Sequence, residues 1–260
     1  MNRHERHTAL LELLTERHQV EVEAVAAELG VSVATVRRDL DHLAEQQLLT
    51  RTRGGAVAHS VAYELPLRYK AVRHASEKER IARAAAAMVE PGMVIGLNGG
   101  TTTTEVARAV ATRGDLVGSA EEPAVTLVTN ALNIAHELAV RPHIKIVTTG
   151  GVAMHQSYEL VGPLARHILG EVSLDLAFIG VDAVDAEEGA GAHSEHEASI
   201  NALLAERART LVVVADSSKL GARAFARICP VEEIGTLITD TGAAERAARF
   251  EERGIPVVLV

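Results

Sequence analysis

VSVATVRRDLDHLAEQQLLTRTRGGA, residues 31–56, holds a short helix, a pair of arginines and a glycine-ended hairpin in one run. Ser32 is a good N-cap, because its hydroxyl can accept from the orphan N–H groups of a first helical turn, and it follows Gly30-Val31, a plausible tight turn. Val33, Val36, Leu40 and Leu43 recur at helical spacing and face a core, which leaves Ala34, Thr35, Arg37, Arg38 and Asp41 outward or at the flanks. A preceding helix over 22–29 brings Val22, Val25, Ala26 and Leu29 to the same core. Two short helices joined by a turn containing glycine make a helix-turn-helix. The second helix of such a motif enters the DNA major groove by its N-terminal residues, while arginines and the helix N-terminus hold phosphates. On that reading Ala34, Thr35 and Arg38 meet base edges, Arg37 holds the DNA backbone, and Ser32 sits at the helix terminus. Residues 48–57 then alternate small or apolar residues with arginine before two glycines, which predicts a β-wing whose Arg51, Arg53 and Gly54 approach phosphate or a minor groove.

These residues resemble the N-terminal domain of the DeoR family of bacterial transcriptional regulators. The family pattern is V-S-x-x-T-[IV]-R-R-D-L followed by R-x-x-G-G-A, here Val31 to Leu40 and Arg51 to Ala56. The resemblance implies a winged helix-turn-helix over residues 1–60 that binds an operator in double-stranded DNA.

Composition constrains this reading. The chain has 260 residues, 47% of them apolar, enough for a small domain plus one of ordinary size. Its net charge is −9, and residues 1–60 hold seven arginines and no lysine against nine acidic residues, so even the head is at −2. Nucleic-acid binders are usually basic. Here, however, Arg37, Arg38, Arg51 and Arg53 lie on the presumed contact elements, while Glu12, Glu16, Glu21, Glu23 and Glu28 lie upstream. Acidity elsewhere weakens loose binding and favours a homo-oligomer that contacts several phosphates at once. A single cysteine, Cys229, is incompatible with a disulfide framework and argues against a zinc finger. Aromatic residues at 2% and the absence of tryptophan argue against recognition of single strands by base stacking. No apolar run approaches a membrane span, and the charged N-terminus lacks a cleavage-like site, so a cytoplasmic protein with no membrane partner is expected.

Residues 61–75 hold a proline, mixed charge and no sustained periodicity, and read as a linker. The second domain, 76–260, opens with a helix that Ser76 and Glu79 would cap as a box, and Pro91-Gly92 stops it. Apolar runs at 93–97, 124–128, 144–147, 174–181, 211–215, 235–238 and 256–259 alternate with helices at 102–110, 131–139 and between most of the later runs. Strands apolar on both faces and separated by helices require a parallel α/β sheet covered on both sides. Ligands of such sheets bind at the carboxyl ends of the strands.

Those ends carry polar and glycine-rich residues. Asn98, Gly99, Gly100, Thr101 and Thr102 lead into a helix and offer N–H groups and hydroxyls suited to a phosphate. Thr129-Asn130, Gly150-Gly151, Asp182 and Lys219 follow other strands, although strand-to-helix turns use the same residue types. Neither the Rossmann nor the Walker glycine spacing is present, which favours a small phosphorylated ligand over a dinucleotide. His193 to Glu197 could suggest a metal, but Ser194 and Glu197 suit a helix cap; no metal or cofactor is expected.

The second domain is similar to the C-terminal sensor domain of the same family, which shares its fold with ribose-5-phosphate isomerase and binds a phosphorylated sugar. The resemblance rests on Asn98 to Thr102, Thr129-Asn130, Gly150-Gly151, the helix start Glu197-Ala198-Ser199-Ile200-Asn201, and Asp216 to Lys219. It implies an effector site at those positions, Glu197 and Lys219 among them. Asn98 stands where the family usually has aspartate, and Asn201 where it usually has lysine or arginine. Each exchanges a charge for an amide. An isomerase would need a base, for which Asp182 could serve, and an electrophile, which Asn201 does not supply. The expected function is therefore a DNA-binding regulator, a repressor of carbohydrate-metabolism genes controlled by a phosphorylated sugar, and not an enzyme.

Overall fold

The computed structural model describes residues 1–45, 48–58, 67, 73–116 and 123–260. The linker expected over 61–75 lies outside them except for 67 and 73–75. The chain divides into two compact units, Met1–Arg73 and His74–Val260.

The first unit runs α1 (Arg3–Arg17), β1 (Gln19–Glu21), α2 (Val22–Leu29), α3 (Val33–Glu45), β2 (Leu49–Arg51) and β3 (Gly55–Ala58). The three strands form an antiparallel sheet in the order β1-β3-β2. Patterning does not foresee α1 or β1, although α1 opens with a reciprocal capping box between Asn2 and Glu5. Its Leu10, Leu11 and Leu14 are buried with Val25, Val36, Leu40 and Leu43 in a core of their own. Gly30 ends α2 in the left-handed conformation, φ 64°, and the N–H of Val31 returns to the carbonyl of Ala26 at 3.0 Å. Ser32 then caps α3, its Oγ accepting from Thr35 N–H at 3.1 Å.

The second unit is built on seven parallel strands. Three of them are β4 (Val94–Leu97), β5 (Val125–Thr129) and β6 (Ile144–Thr148). The other four are β9 (Leu174–Gly180), β12 (Ala208–Val214), β14 (Thr236–Thr239) and β15 (Val257–Leu259). Their order is β15-β14-β12-β9-β4-β5-β6. Successive residues of the central strands feed opposite cores. Phe178, Val212 and Val214 face the side of α4 (Ala75–Ala87), α5 (Thr101–Ala111) and α6 (Leu132–Leu138). Ala177, Ile179 and Val213 face the side of α7 (Pro163–Gly170), α8 (Glu195–Glu206) and α9 (Ala244–Glu251). Each fully buried Phe, Ile or Val contributes roughly 1.5–3 kcal/mol, which is why the central strands carry unbroken apolar runs such as residues 211–214 and do not alternate.

Two small antiparallel additions flank the sheet: the hairpin β7 (Val152–Ala153) with β8 (Leu160–Val161), and the sheet β10 (Ala183–Asp185), β11 (Gly189–Ala192) and β13 (Ala226–Cys229). Sequence patterning gives no sign of either. The capping box expected at Ser76 does not form. The helix starts one residue earlier, after His74 at φ 52° with no side-chain cap, and the Ser76 hydroxyl donates to Glu77 instead. No helix among the described residues is long and apolar enough to cross a membrane.

Candidate functional site

Helix α3 presents two stripes at helical spacing. Val36, Asp39, Leu40 and Leu43 are buried, while Ala34, Arg37, Arg38 and Asp41 are exposed and Thr35 lies between. The exposed stripe contains the residues expected to meet DNA. Neither Arg37 nor Arg38 has an ion pair among the described residues. The hydroxyls of Ser32 and Thr35 bond each other at 2.8 Å, so both close the helix start.

Asp39, the acidic residue of the R-R-D-L run, is 2% exposed, and its location was not anticipated from sequence. It accepts from Arg6 through both of its oxygens and lies 3.1 Å from His7 Nε2, tying α1 to the inner face of α3. Burial by itself would raise the Asp39 pKa, but the bonds from Arg6 and His7 more than reverse this and hold it below its ordinary value.

The two wing arginines differ. Arg51 folds back: its Nε donates to Asp41 on α3 at 2.7 Å and its guanidinium also bonds the Gly55 carbonyl. Arg53 lies in the exposed turn beyond β2 with Gly54. Gly55, not Gly54, is the position that cannot bear a side chain, because a Cβ there would lie 1.8 Å from the Val20 carbonyl oxygen.

In the second unit the strand order reverses direction between β4 and β9, which places a topological switch point at their carboxyl ends. Asn98, at the end of β4, bridges that point. Its Nδ2 donates to the Gly180 carbonyl at 2.9 Å and its Oδ1 accepts from Gly180 N–H at 2.8 Å. Both ends of the amide are needed, and a carboxylate could make only the second bond. Gly100 follows at φ 138° and its carbonyl accepts from the hydroxyls of Thr103 at 3.2 Å and Thr104 at 2.7 Å. The hydroxyls of Thr101 and Thr102 make no such bond among the described residues.

The expected residues Asn98 to Thr102, Thr129, Asn130, Gly150, Gly151, Asp182, Glu197 and Lys219 all follow the carboxyl ends of β4, β5, β6, β9 and β12 or open α8. They are not joined equally. Thr129 Oγ1 accepts from Ala131 N–H at 3.0 Å and closes the β5 turn. Asp182 accepts from His193 N–H at 3.0 Å, and Gly150 and Gly151 take positive φ to turn the chain into β7. Lys219 stands half-buried at the end of a turn that Asp216 caps through Ser218 N–H.

Asn130 and Asn201 meet on a carboxyl group that sequence patterning passes over. Glu159 follows Tyr158, whose φ of 62° is left-handed, and accepts from Asn130 Nδ2 at 3.2 Å and Asn201 Nδ2 at 3.4 Å. Burial, and then the charge of Glu197, push its pKa well above the carboxylate range against the pull of those amides and of Gly99 N–H. Glu197 takes the Ser157 hydroxyl while its N–H goes to Ser194, so the box expected there is only half formed.

Comparison with known proteins agrees with both halves. Residues 6–61 match the model for the DeoR-like helix-turn-helix domain, and residues 73–241 match the DeoR C-terminal sensor domain. A relative from Haloferax volcanii, the HTH-type transcriptional regulator GlpR, is 37% identical over 98% of this chain and 96% of its own length. The glycerol-3-phosphate regulon repressor of Escherichia coli strain K12 is 29% identical over 92% of each chain. Among solved structures, ribose 5-phosphate isomerase A from Methanocaldococcus jannaschii overlaps 56% of this chain and 54% of its own at 27% identity and a TM-score of 0.37. The full-length sorbitol operon regulator SorC from Klebsiella pneumoniae overlaps 94% of this chain and 97% of its own at 15% identity and a TM-score of 0.40. With both of its halves matched and a relative of this identity aligned along nearly its whole length, the chain belongs to the DeoR family of transcriptional regulators.

Proposed function

We propose that the protein is a ligand-controlled repressor of carbohydrate-metabolism genes. Its α3 reads an operator with Ala34, Thr35 and Arg38 at base edges, while Ser32, Arg37, Arg53 and Gly54 hold phosphates. Arg51 contributes by fixing the wing to α3 through Asp41. The observation that carries this reading is the exposed stripe of α3, two arginines without intramolecular ion pairs among the described residues, set against a buried stripe that holds the helix rigidly. A phosphorylated sugar binds at the switch-point crevice, where Thr101, Thr102 and the first turn of α5 offer donors and Lys219 a cation. A relative named as a glycerol-3-phosphate regulon repressor supports that ligand class. The protein acts in the cytoplasm as a homo-oligomer, since two heads are needed to read paired half-sites. The isomerase reading is disfavoured because Asn201, an amide, stands where the family resemblance has a cation that could serve as the electrophile.

Genome-wide footprinting with purified protein identifies the operator, and two variants then test the interface. Arg37→Ala should weaken binding to all sequences and lower the salt slope by about one, whereas Arg38→Ala should also relax base preference. Unchanged affinity and slope in both variants would overturn this placement of α3.

A further inference from the structure

Glu159 is buried beside the crevice, and its surroundings constrain the ligand. It fills the space in front of Gly99, where an added Cβ would lie 2.4 Å from Glu159 Cγ and 2.7 Å from Oε1. The Gly99 N–H donates to its carboxyl group, as do Asn130 and Asn201. The innermost donors of the turn are therefore already taken by the chain's own acid. No cation pairs with Glu159 among the described residues, and the charge of Glu197 beside it, like its burial, disfavours a second anion there. What remains unsatisfied is an acceptor: Asn130 is fully buried and its Oδ1 meets no donor among the described residues, on the same amide whose Nδ2 meets Glu159 and Asn201. A buried acceptor without a donor is costly, and a ligand hydroxyl would satisfy it while leaving the existing bonds in place.

We infer that the inner end of the crevice is a hydroxyl subsite, formed by Glu159, Asn130 and Asn201, and that Glu159 determines specificity by excluding a second anionic group. The effector then carries its phosphate at the outer end only, toward Thr101, Thr102 and Lys219. A bisphosphate would have to bury a second dianion where no cation stands among the described residues and where Glu159 already holds the Gly99, Asn130 and Asn201 donors, and such burial is strongly opposed. This inference rests on the crevice being the effector site.

The test is calorimetric titration of the full chain with the fructose and glucose monophosphates and the matching bisphosphates. At least one monophosphate should bind, and its bisphosphate should bind about tenfold more weakly or worse. Glu159→Ser frees the Gly99, Asn130 and Asn201 donors and should bring the two affinities to within about threefold, whereas Glu159→Gln, whose amide oxygen still accepts from them, should keep the discrimination; each variant is checked for a cooperative melt. Equal affinities in the wild type, or an unchanged ratio in folded Glu159→Ser, would overturn the subsite while leaving the crevice reading in place. Failure of every sugar phosphate to bind the wild type would overturn the crevice reading, and the inference with it.

Discussion

Asp39 shows how one residue ties sequence to function in the head. It lies between Arg38, which faces outward, and Leu40, which faces inward, and its carboxylate anchors α3 to α1 through Arg6 and His7. Replacing it with asparagine leaves the Arg6 side chain, 14% exposed, without its counter-charge. Breaking a buried pair from one side costs about 3 kcal/mol, so Asp39→Asn should erase hydrogen-exchange protection in α1 and α3 and weaken operator binding without touching DNA. His7 adds a pH dependence. Burial holds its pKa below the ordinary value of 6.5, with the bond to Asp39 acting the other way. A histidine depressed in the folded state contributes stability that is present above 6.5 and lost as pH falls toward the folded value. Asp39, also depressed, gives up its share only in stronger acid. Head stability should therefore begin to fall just below neutrality, and His7→Gln should flatten that early loss. A pH-independent head between neutrality and the carboxylate range would contradict this account.

Among the elements, the wing gives the sharpest contrast. Gly54 has open space around it, whereas a Cβ on Gly55 would collide with backbone at Val20, which cannot rotate away. Gly55→Ala should cost about 3 kcal/mol by prising β1 from β3, while Gly54→Ala should stay within about 0.5 kcal/mol in denaturant unfolding. Equal effects would mean the strand order β1-β3-β2 is wrong. The same element shows why some of the fold is legible in sequence and some is not. The parallel strands are legible because burial on both faces forces unbroken apolar runs such as Leu211 to Val214. Strand β11 is not, since Gly-Ala-Gly-Ala has little strand propensity and is held by pairing with β10 and β13 and by the burial of Ala190 and Ala192. In the site, the turns and Lys219 can be read from their positions after strands. Glu159 cannot, because a lone acid before Leu160-Val161 carries no local signal and its partners lie 29 and 42 residues away.

At the scale of the whole molecule, reading DNA and sensing a ligand fall to two separately cored units, Met1–Arg73 and His74–Val260. A repressor built this way works by linkage. A sugar phosphate that prefers the arrangement unable to bind DNA lowers operator affinity, and the operator lowers sugar-phosphate affinity by the same factor. Asn98 in the sensor unit serves the fold by stitching β4 to β9, so its difference from the family's usual aspartate does not by itself remove the effector. The most direct test is a reciprocal titration of the full chain. Operator affinity is measured with and without the sugar phosphate that raises its melting temperature, and sugar-phosphate affinity with and without operator. Both should fall by one common factor, about 5- to 150-fold. A sugar phosphate that binds but changes neither affinity would contradict the account.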